Sequence, residues 1–334
     1  MGHPEIVAFV LAGGEGARLR PLTDHDAKPA VPFAQAHRIV DFVLGNLVNS
    51  RVSSIYLLAQ YKPASLIAHV NRVWATACAR ARCGIEVIVP GDREPAATFK
   101  GTAHAVHRCL HVLDDRAPDL VAVFAADHIY RMDVRQMANF HRSHDADVTV
   151  AGIPVPIAEA SAFGIMATDR GGRIRQFQEK PRQPQPIPGD PGRVYASMGN
   201  YLFKPAVLVD LLDCAVRRGD TDFGAHIMPA LPASGMRSLA YDFARNELPG
   251  IQPYEDRMYW RDVGTLGALA RARADVEGDC PRFDLRNSEW PIRRDLLASL
   301  PRRPTMPAGM REQVTAATLL GRASPASREM LSHR

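Results

Sequence analysis

The sequence predicts an α/β fold built on a mostly parallel, twisted sheet with helices on both faces. Short runs rich in Val, Ile and Leu are typical of buried strands, and they lie at residues 5–11, 54–59, 85–89 and 120–125. Longer amphipathic stretches between them predict helices, at residues 38–49, 63–82 and 102–113. Strands and helices that alternate in this way favour parallel pairing. Since ligands of such sheets bind beyond the carboxyl ends of the strands, we look for a site in the loops that follow strands.

Beyond residue 147 the pattern becomes mixed. Residues 163–168 and 173–179 flank an Asp-Arg-Gly-Gly turn and predict a hairpin, and the Pro- and Gly-rich residues 182–192 predict a surface loop. Further strands are expected at residues 147–154 and 194–203, and further helices at residues 205–217 and 265–275. We assign residues 1–300 to one domain and residues 301–334, which show little apolar clustering, to an irregular tail.

Composition and charge are those of an ordinary globular protein. The 334 residues include 41 Lys and Arg against 36 Asp and Glu, a net charge of +5 that suits a small anionic substrate as well as nucleic acid. No apolar run is long enough to cross a bilayer, and no signal peptide is indicated. The five cysteines are scattered, without a C-x-x-C pair, which argues against a disulfide framework or a zinc site. We therefore expect a cytoplasmic protein with neither a membrane nor a nucleic-acid partner.

The most informative segment is the glycine loop, residues 11–23, which begins where the first strand ends. Its three glycines can bring backbone N–H groups close to a polyphosphate: Gly13, Gly14 and Gly16. Arg18, Arg20 and Lys28 supply matching cations, although a tight turn with exposed arginines would also explain the loop. A Walker A loop is excluded because no Gly-Lys-Ser/Thr follows. The dinucleotide fingerprint is disfavoured because Leu19 replaces its third glycine.

The glycine loop and the Lys-Pro-Ala that starts at Lys28 resemble the signature of the sugar-1-phosphate nucleotidyltransferases. The resemblance implies the nucleotidyltransferase fold, which is Rossmann-like and similar to glycosyltransferase-A folds. It also implies that Arg18 and Lys28 contact the triphosphate and the departing pyrophosphate. Ala17 stands where the family usually has Thr.

Two aspartates are candidate metal ligands. Asp127 follows the strand that ends at residue 125, and Asp262 lies in Tyr-Trp-Arg-Asp-Val-Gly-Thr. Two carboxylates distant in sequence can converge on one Mg²⁺, although each alone is also an ordinary cap or turn residue. Both stretches resemble the metal-binding stretches of the ADP-glucose-forming branch, the bacterial glucose-1-phosphate adenylyltransferases. This implies that Asp127 and Asp262 hold Mg²⁺.

Other runs resemble the substrate sites of that branch. Three of these runs contain Ser-Ala-Phe-Gly, Gln-Glu-Lys-Pro and Ala-Ser-Met-Gly. The resemblance implies that glucose 1-phosphate is bound by Gly164, Glu179, Lys180 and Ser197. Gly101 and Thr102, in Lys-Gly-Thr-Ala-His-Ala, are nominated for the nucleotide. The chain departs from the usual pattern at Phe99, His104 and Ala225.

The resemblance implies an enzyme that transfers the adenylyl group of ATP to α-D-glucose 1-phosphate, giving ADP-glucose for α-glucan (glycogen) synthesis. It is compatible with a homo-oligomer. Residues 301–334 lack the hexapeptide repeats of the β-helix domain that usually follows, so we expect the catalytic domain alone, with weak or absent allosteric regulation. Two alternatives remain open: a transferase for another base or sugar phosphate, and a non-catalytic paralogue that binds sugar nucleotide or a catalytic partner.

Overall fold

The computed structural model describes residues 4–91 and 98–300. Its strands, numbered in chain order, are β1 Ile6–Leu11, β2 Ser54–Leu58, β3 Gly84–Ile88, β4 Leu120–Ala125, β5 His128–Tyr130, β6 Val148–Pro156, β7 Gly164–Thr168, β8 Ile174–Glu179, β9 Arg193–Phe203, β10 Ser238–Asp242 and β11 Trp260–Asp262. Its α-helices are α1 Val40–Asn49, α2 Ala64–His69, α3 Ala75–Ala81, α4 Thr102–His107, α5 Val134–Ser143, α6 Pro205–Arg218, α7 Met228–Ala230 and α8 Leu266–Ala274. Residues 301–334 lie outside the described residues, so the expected tail and the boundary at residue 300 stay predictions.

The sheet is mostly parallel, as the sequence predicts. Its main path runs β10-β6-β9-β4-β1-β2-β3, in which β9 is antiparallel to both neighbours and all other neighbouring pairs are parallel. The antiparallel pair β7 and β8 extends from β9, and β5 and β11 form a separate two-stranded sheet. The central position of β1 and β4 brings their carboxyl ends side by side, with Leu11 opposite Ala125.

Helices cover both faces of the sheet because alternate residues of β1 point to opposite sides. Ile6, Ala8 and Val10 pack in a core cluster with α1, α2, α3 and α5. Val7 and Phe9 pack in a second cluster with α4 and α6. The fold class predicted from the alternating pattern is therefore confirmed.

A third core cluster lies under the glycine loop. It contains Leu19 of that loop, Phe42 of α1, Leu269 of α8 and Ile292, together with several other buried apolar residues. The segments around residues 260 and 290 are thus anchored against the loop that follows β1. This packing brings Asp262 near residues that precede it by more than 200 positions.

Several predicted elements differ in detail. The helix expected at residues 63–82 consists of α2 and α3 with a π-helical turn at Val70–Trp74 between them. The helix expected at residues 102–113 ends at His107, and a 3₁₀ turn follows at Leu110–Leu113. The hairpin is present as β7 and β8, with Asp169 Oδ1 accepting from the backbone N–H groups of Gly171 and Arg173.

Candidate functional site

A cleft of about 330 Å³ lies at the carboxyl ends of β1, β2 and β4. Its lining includes Leu11, Gly13, Gly14, Lys28, Gln60, Tyr61, Phe99, Gly101, Thr102, Asp127 and Asp222. The cleft therefore occupies the sheet edge at which ligands of parallel sheets bind. It brings together residues that the sequence places up to about 200 positions apart.

The backbone of the glycine loop is fixed by contacts around Gly16. Gly16 has φ +68°, and a Cβ built there would lie 3.0 Å from both Lys28 Cβ and Thr23 Cγ2. The Thr23 hydroxyl donates to the Gly16 carbonyl at 2.9 Å, and Lys62 Nζ donates to the Thr23 carbonyl at 2.7 Å. Glycine is thus required at position 16 by both conformation and space. The two side chains that make these hydrogen bonds, Thr23 and Lys62, are not among the lining residues of the cleft.

Lys28 lies between the two candidate aspartates. Its Nζ is 2.9 Å from Asp127 Oδ2 and 3.8 Å from Asp262 Oδ1, and its side chain is 9% exposed. Asp262 is brought there by the antiparallel pairing of β5 with β11, in which it lies opposite His128. The Lys28 ammonium is thus buried between two carboxylates. When an anionic ligand binds, the ammonium can replace a carboxylate partner with an oxygen of the ligand.

Asp127 is half-buried, and its charge state is set by its neighbours. Burial alone would raise the pKa of its carboxyl group, but attraction by His128 and by the Lys28 ammonium, with hydrogen bonds, holds that pKa below its ordinary value. His128 Nδ1 is buried 3.2 Å from Asp127 Oδ1 without completing a hydrogen bond. One ligand atom from each of Asp127, His128 and Asp262 lies within 4.8 Å of the others, so this group could hold a divalent metal ion.

Arg18 is exposed at the rim of this charged group. A Cβ built on Gly264 would lie 3.0 Å from Arg18 Nη2 and 3.0 Å from Asp262 Oδ1, so the guanidinium and the carboxylate border the same small space. The structure therefore brings together Arg18, Lys28, Asp127 and Asp262.

Gly101 and Thr102 join two loops of the cleft. A Cβ at Gly101 would lie 2.4 Å from the Thr221 carbonyl oxygen, so only glycine allows this approach. The Thr102 hydroxyl donates to Asp222 Oδ2 at 2.9 Å and accepts from the Phe223 N–H at 2.9 Å. The hydroxyl of Thr102 is thus engaged with two partners within the protein.

The four residues nominated for the sugar phosphate are not among the lining residues of this cleft. Gly164 of β7 pairs with Glu179 of β8, and Lys180 Nζ lies 2.5 Å from Glu179 Oε1. Ser197 Oγ, on β9, accepts from the Gly199 N–H at 3.3 Å. A Cβ at Gly224 would lie 3.8 Å from Glu179 Oε2 and 3.5 Å from Asp222 Oδ1. Both carboxylates are therefore close to Gly224, and Asp222 lines the cleft.

Three residues at the site are absent from the sequence prediction: Gln60, His128 and Asp222. Gln60 Oε1 accepts from the Phe99 N–H at 2.7 Å and so connects the loop after β2 to the loop before α4. His128 directly follows Asp127, so its position next to a candidate metal ligand is a sequence signal for a role in the site. Asp222 stands three positions before Ala225, in a run compared with the family pattern, so that run is a signal for it, whereas Gln60 stands in a loop whose pattern gives none.

The comparisons with known proteins agree with this geometry. Residues 7–278 match the family model described as nucleotidyl transferase. A glucose-1-phosphate adenylyltransferase of Thermodesulfovibrio yellowstonii is 49% identical over 289 residues, which are 86% of this chain and 70% of that protein. The proteins of the same name from Thermus thermophilus and Mycobacterium tuberculosis are 44% and 46% identical, over 89% and 87% of this chain and 73% and 72% of theirs.

Among the described residues, no helix has the length and apolar character needed to cross a bilayer. The family match spans β1 to α8, and thus both aspartate stretches and the glycine loop. The chain belongs to the nucleotidyl transferase family and is similar to its glucose-1-phosphate adenylyltransferases.

Proposed function

We propose that the protein transfers the adenylyl group of ATP to α-D-glucose 1-phosphate, forming ADP-glucose and releasing pyrophosphate. The observation that carries the proposal is the meeting of Lys28, Asp127 and Asp262 beside a glycine loop at the carboxyl ends of the strands. Relatives that cover most of this chain bear the name of this activity.

In the proposed reaction, a phosphate oxygen of glucose 1-phosphate attacks the α-phosphorus of ATP in line. The bond from that phosphorus to the bridging oxygen of the β-phosphate breaks, and pyrophosphate leaves with the electron pair. The nucleophile is already an anion, so catalysis needs positioning and charge stabilisation rather than a strong base. Lys28 and Arg18 supply the cations for the triphosphate, and Gly13 and Gly14 let its backbone contacts form.

Glu179 and Lys180 provide the matching chemistry for the second substrate. Glu179 can accept hydrogen bonds from sugar hydroxyl groups, and Lys180 can hold the attacking phosphate as a point charge. Their own pairing at 2.5 Å is exposed to solvent, so little free energy is lost when Lys180 exchanges that partner for a phosphate. Gly164 pairs with Glu179, and Ser197 directly follows Ala196, which pairs with Ile165 of β7.

Asp127 and Asp262 would hold Mg²⁺, since carboxylate oxygens are the ligands this ion prefers. When bound, the ion adds charge stabilisation for the phosphate groups. His128 is the third member of the group, and its orphaned Nδ1 fits a site completed by a ligand. Lys28, whose Nζ contacts both carboxylates, would then be available to pair with a phosphate of the triphosphate.

The direct test is pyrophosphate release from ATP, glucose 1-phosphate and Mg²⁺. Asp127→Asn should lower turnover by about two orders of magnitude or more while the protein stays folded, because a neutral amide cannot replace the carboxylate charge. Asp213→Asn is a matched control, since Asp213 is a carboxylate on α6 that pairs with His107. Near-normal turnover of Asp127→Asn would refute the assigned mechanism.

A screen of nucleoside triphosphates and sugar 1-phosphates tests the choice of substrates. We expect the highest kcat/KM for ATP with glucose 1-phosphate. A clearly higher value for another base or sugar would replace the proposed substrates while leaving the reaction class intact. Absence of pyrophosphate release with every pair would favour the non-catalytic reading suggested by Ala17, Phe99, His104 and Ala225.

A further inference from the structure

A second and larger groove carries arginines that lack acidic partners. It lies between α1, the helical residues 64–81 and residues 291–295, and encloses about 1120 Å³. Five exposed arginines line it: Arg51, Arg72, Arg80, Arg82 and Arg294. None of these five guanidinium groups forms a hydrogen bond or ion pair with another of residues 4–91 and 98–300. We call this feature the arginine groove.

Several arginines elsewhere on the described surface have acidic partners, whereas five arginines without one are gathered around this single groove. Arg135 pairs with Asp133 at 2.7 Å, Arg175 pairs with Asp169 at 2.7 Å, and Arg282 pairs with Asp256 at 3.0 Å. Arg293, in the wall of the groove itself, lies 3.5 Å from the buried carboxylate of Asp41. The acidic lining residue Asp295 pairs with Arg293 at 2.5 Å. The five remaining like charges repel one another, and an anionic ligand would reduce that repulsion.

The spacing of the arginines indicates an extended ligand. Arg72, Thr76 and Arg80 recur at every fourth position of the helical stretch and all line the groove, which places them in one row. Eight positions of a regular α-helix span about 12 Å along the axis, and the span from Arg72 to Arg80 is somewhat shorter because Arg72 lies in the π-helical turn Val70–Trp74. A chain of phosphates is long enough to contact side chains all along this row, whereas a single phosphate would occupy only one part of it. Val73 and Ala77 also line the groove, and the aliphatic parts of the arginine side chains can pack against such apolar residues.

The lining also disfavours a nucleic acid. Trp74 is the one aromatic residue among the described lining residues, and it is 3% exposed with its Nε1 donating to Asp41 at 2.8 Å. Its ring is therefore not free for the base stacking by which proteins bind single strands. Guanidinium groups match phosphate oxygens well and need no bases. We propose that the arginine groove binds inorganic polyphosphate, a linear phosphate chain, at a site separate from the catalytic cleft.

The test is titration of the full chain with medium-chain inorganic polyphosphate, without divalent metal, followed by calorimetry at several salt concentrations. We expect salt-dependent binding that Arg72→Gln/Arg80→Gln weakens by about tenfold or more, with a salt slope lower by about two. Arg217→Gln/Arg218→Gln removes the same charge from exposed positions of α6 and should bind like the wild type. Equal melting temperatures of the two double variants show that the difference is not caused by unfolding.

Three results would overturn the proposal. The first is no measurable binding of polyphosphate to the wild type. The second is equal affinity of both double variants, which would locate binding at the catalytic cleft or in a diffuse field. The third is tighter binding of a single-stranded oligonucleotide of equal charge through Arg72 and Arg80, which would make nucleic acid the ligand.

Discussion

At the scale of single residues, Gly14 and Gly16 have different surroundings and should respond differently to alanine. Nothing in the described part of the chain lies within 4 Å of a Cβ built on Gly14, whereas Gly16 combines a positive φ with two contacts at 3.0 Å. We expect Gly16→Ala to lower the free energy of unfolding by about 1–3 kcal/mol. Gly14→Ala should leave stability unchanged and raise KM for ATP, because its methyl group occupies space that a phosphate needs.

Denaturant unfolding and steady-state kinetics with pyrophosphate detection check both variants. Denaturant unfolding shows whether a glycine is needed for stability, and the KM for ATP shows whether it is needed for binding of the nucleotide. A wild-type KM for ATP in Gly14→Ala would show that the triphosphate does not approach this part of the loop.

Most of the charged residues of the site are predictable from the sequence, but some contacts between residues of the site are not. Arg18, Lys28, Asp127 and Asp262 stand in runs whose residue types point to phosphate and metal, and the fold brings them together. Thr102 was nominated from its run, but its hydroxyl is occupied by Asp222 and Phe223. That contact joins residues about 120 positions apart, and no local pattern encodes such a pairing.

At the scale of elements, the longer apolar strands are predictable and the shortest strands are not, although β3, expected to be buried, is a partly exposed edge strand. β1, β2, β3 and β4 are apolar runs long enough to show a pattern. β5 and β11 have three residues each, and they pair with one another across about 130 positions. Their pairing positions Asp262, so the least predictable strands determine the geometry of the charged group.

The packing of α1 against the segment after residue 290 gives a test at this scale. A Cβ built on Gly45 would lie 2.5 Å from the Ile292 carbonyl oxygen, and Asn49 donates to the Pro291 carbonyl at 2.8 Å. We expect Gly45→Ala to lower the free energy of unfolding by about 1–3 kcal/mol, because backbone must move to admit the methyl group.

Gly267 of α8 is the matched control for Gly45. Its added Cβ would meet only Arg271 Nη1, at 3.5 Å, and alanine favours a helix over glycine by up to about 1 kcal/mol. Gly267→Ala should therefore be neutral or stabilising in the same urea unfolding experiment. If Gly45→Ala were equally well tolerated, the close contact of α1 with residues 291–292 would not hold in solution.

At the scale of the whole molecule, three apolar clusters form the core, and buried polar and charged side chains lie among them. Two clusters lie on the faces of the sheet, and the third joins the glycine loop to α8 and to residues 283–292. The buried histidines make stability depend on pH. His141 of α5 is 1% exposed, and its Nδ1 contacts the Thr149 hydroxyl of β6 at 2.8 Å.

Burial, with the nearby Lys204 charge, lowers the pKa of His141 to about 4 from an ordinary value of 6.5. The unfolded chain therefore takes up a proton near pH 6.5 that the folded chain does not accept until about pH 4. The free energy of unfolding should fall as pH decreases through this window, by at most about 1.4 kcal/mol per pH unit from this residue. The contribution of Asp127, whose pKa is lowered, is lost only at still lower pH and does not affect this window.

Urea unfolding at a series of pH values between about 7 and 4.5 measures the slope. His141→Gln should flatten it, because glutamine keeps a polar group beside Thr149 but cannot titrate. His111→Gln, at an exposed position, should leave the slope as in the wild type. A smaller slope remains in His141→Gln because burial also lowers the pKa of His37. An unchanged slope in His141→Gln would mean that His141 accepts a proton in the folded state as readily as in the unfolded chain, and that the α5–β6 contact opens in solution.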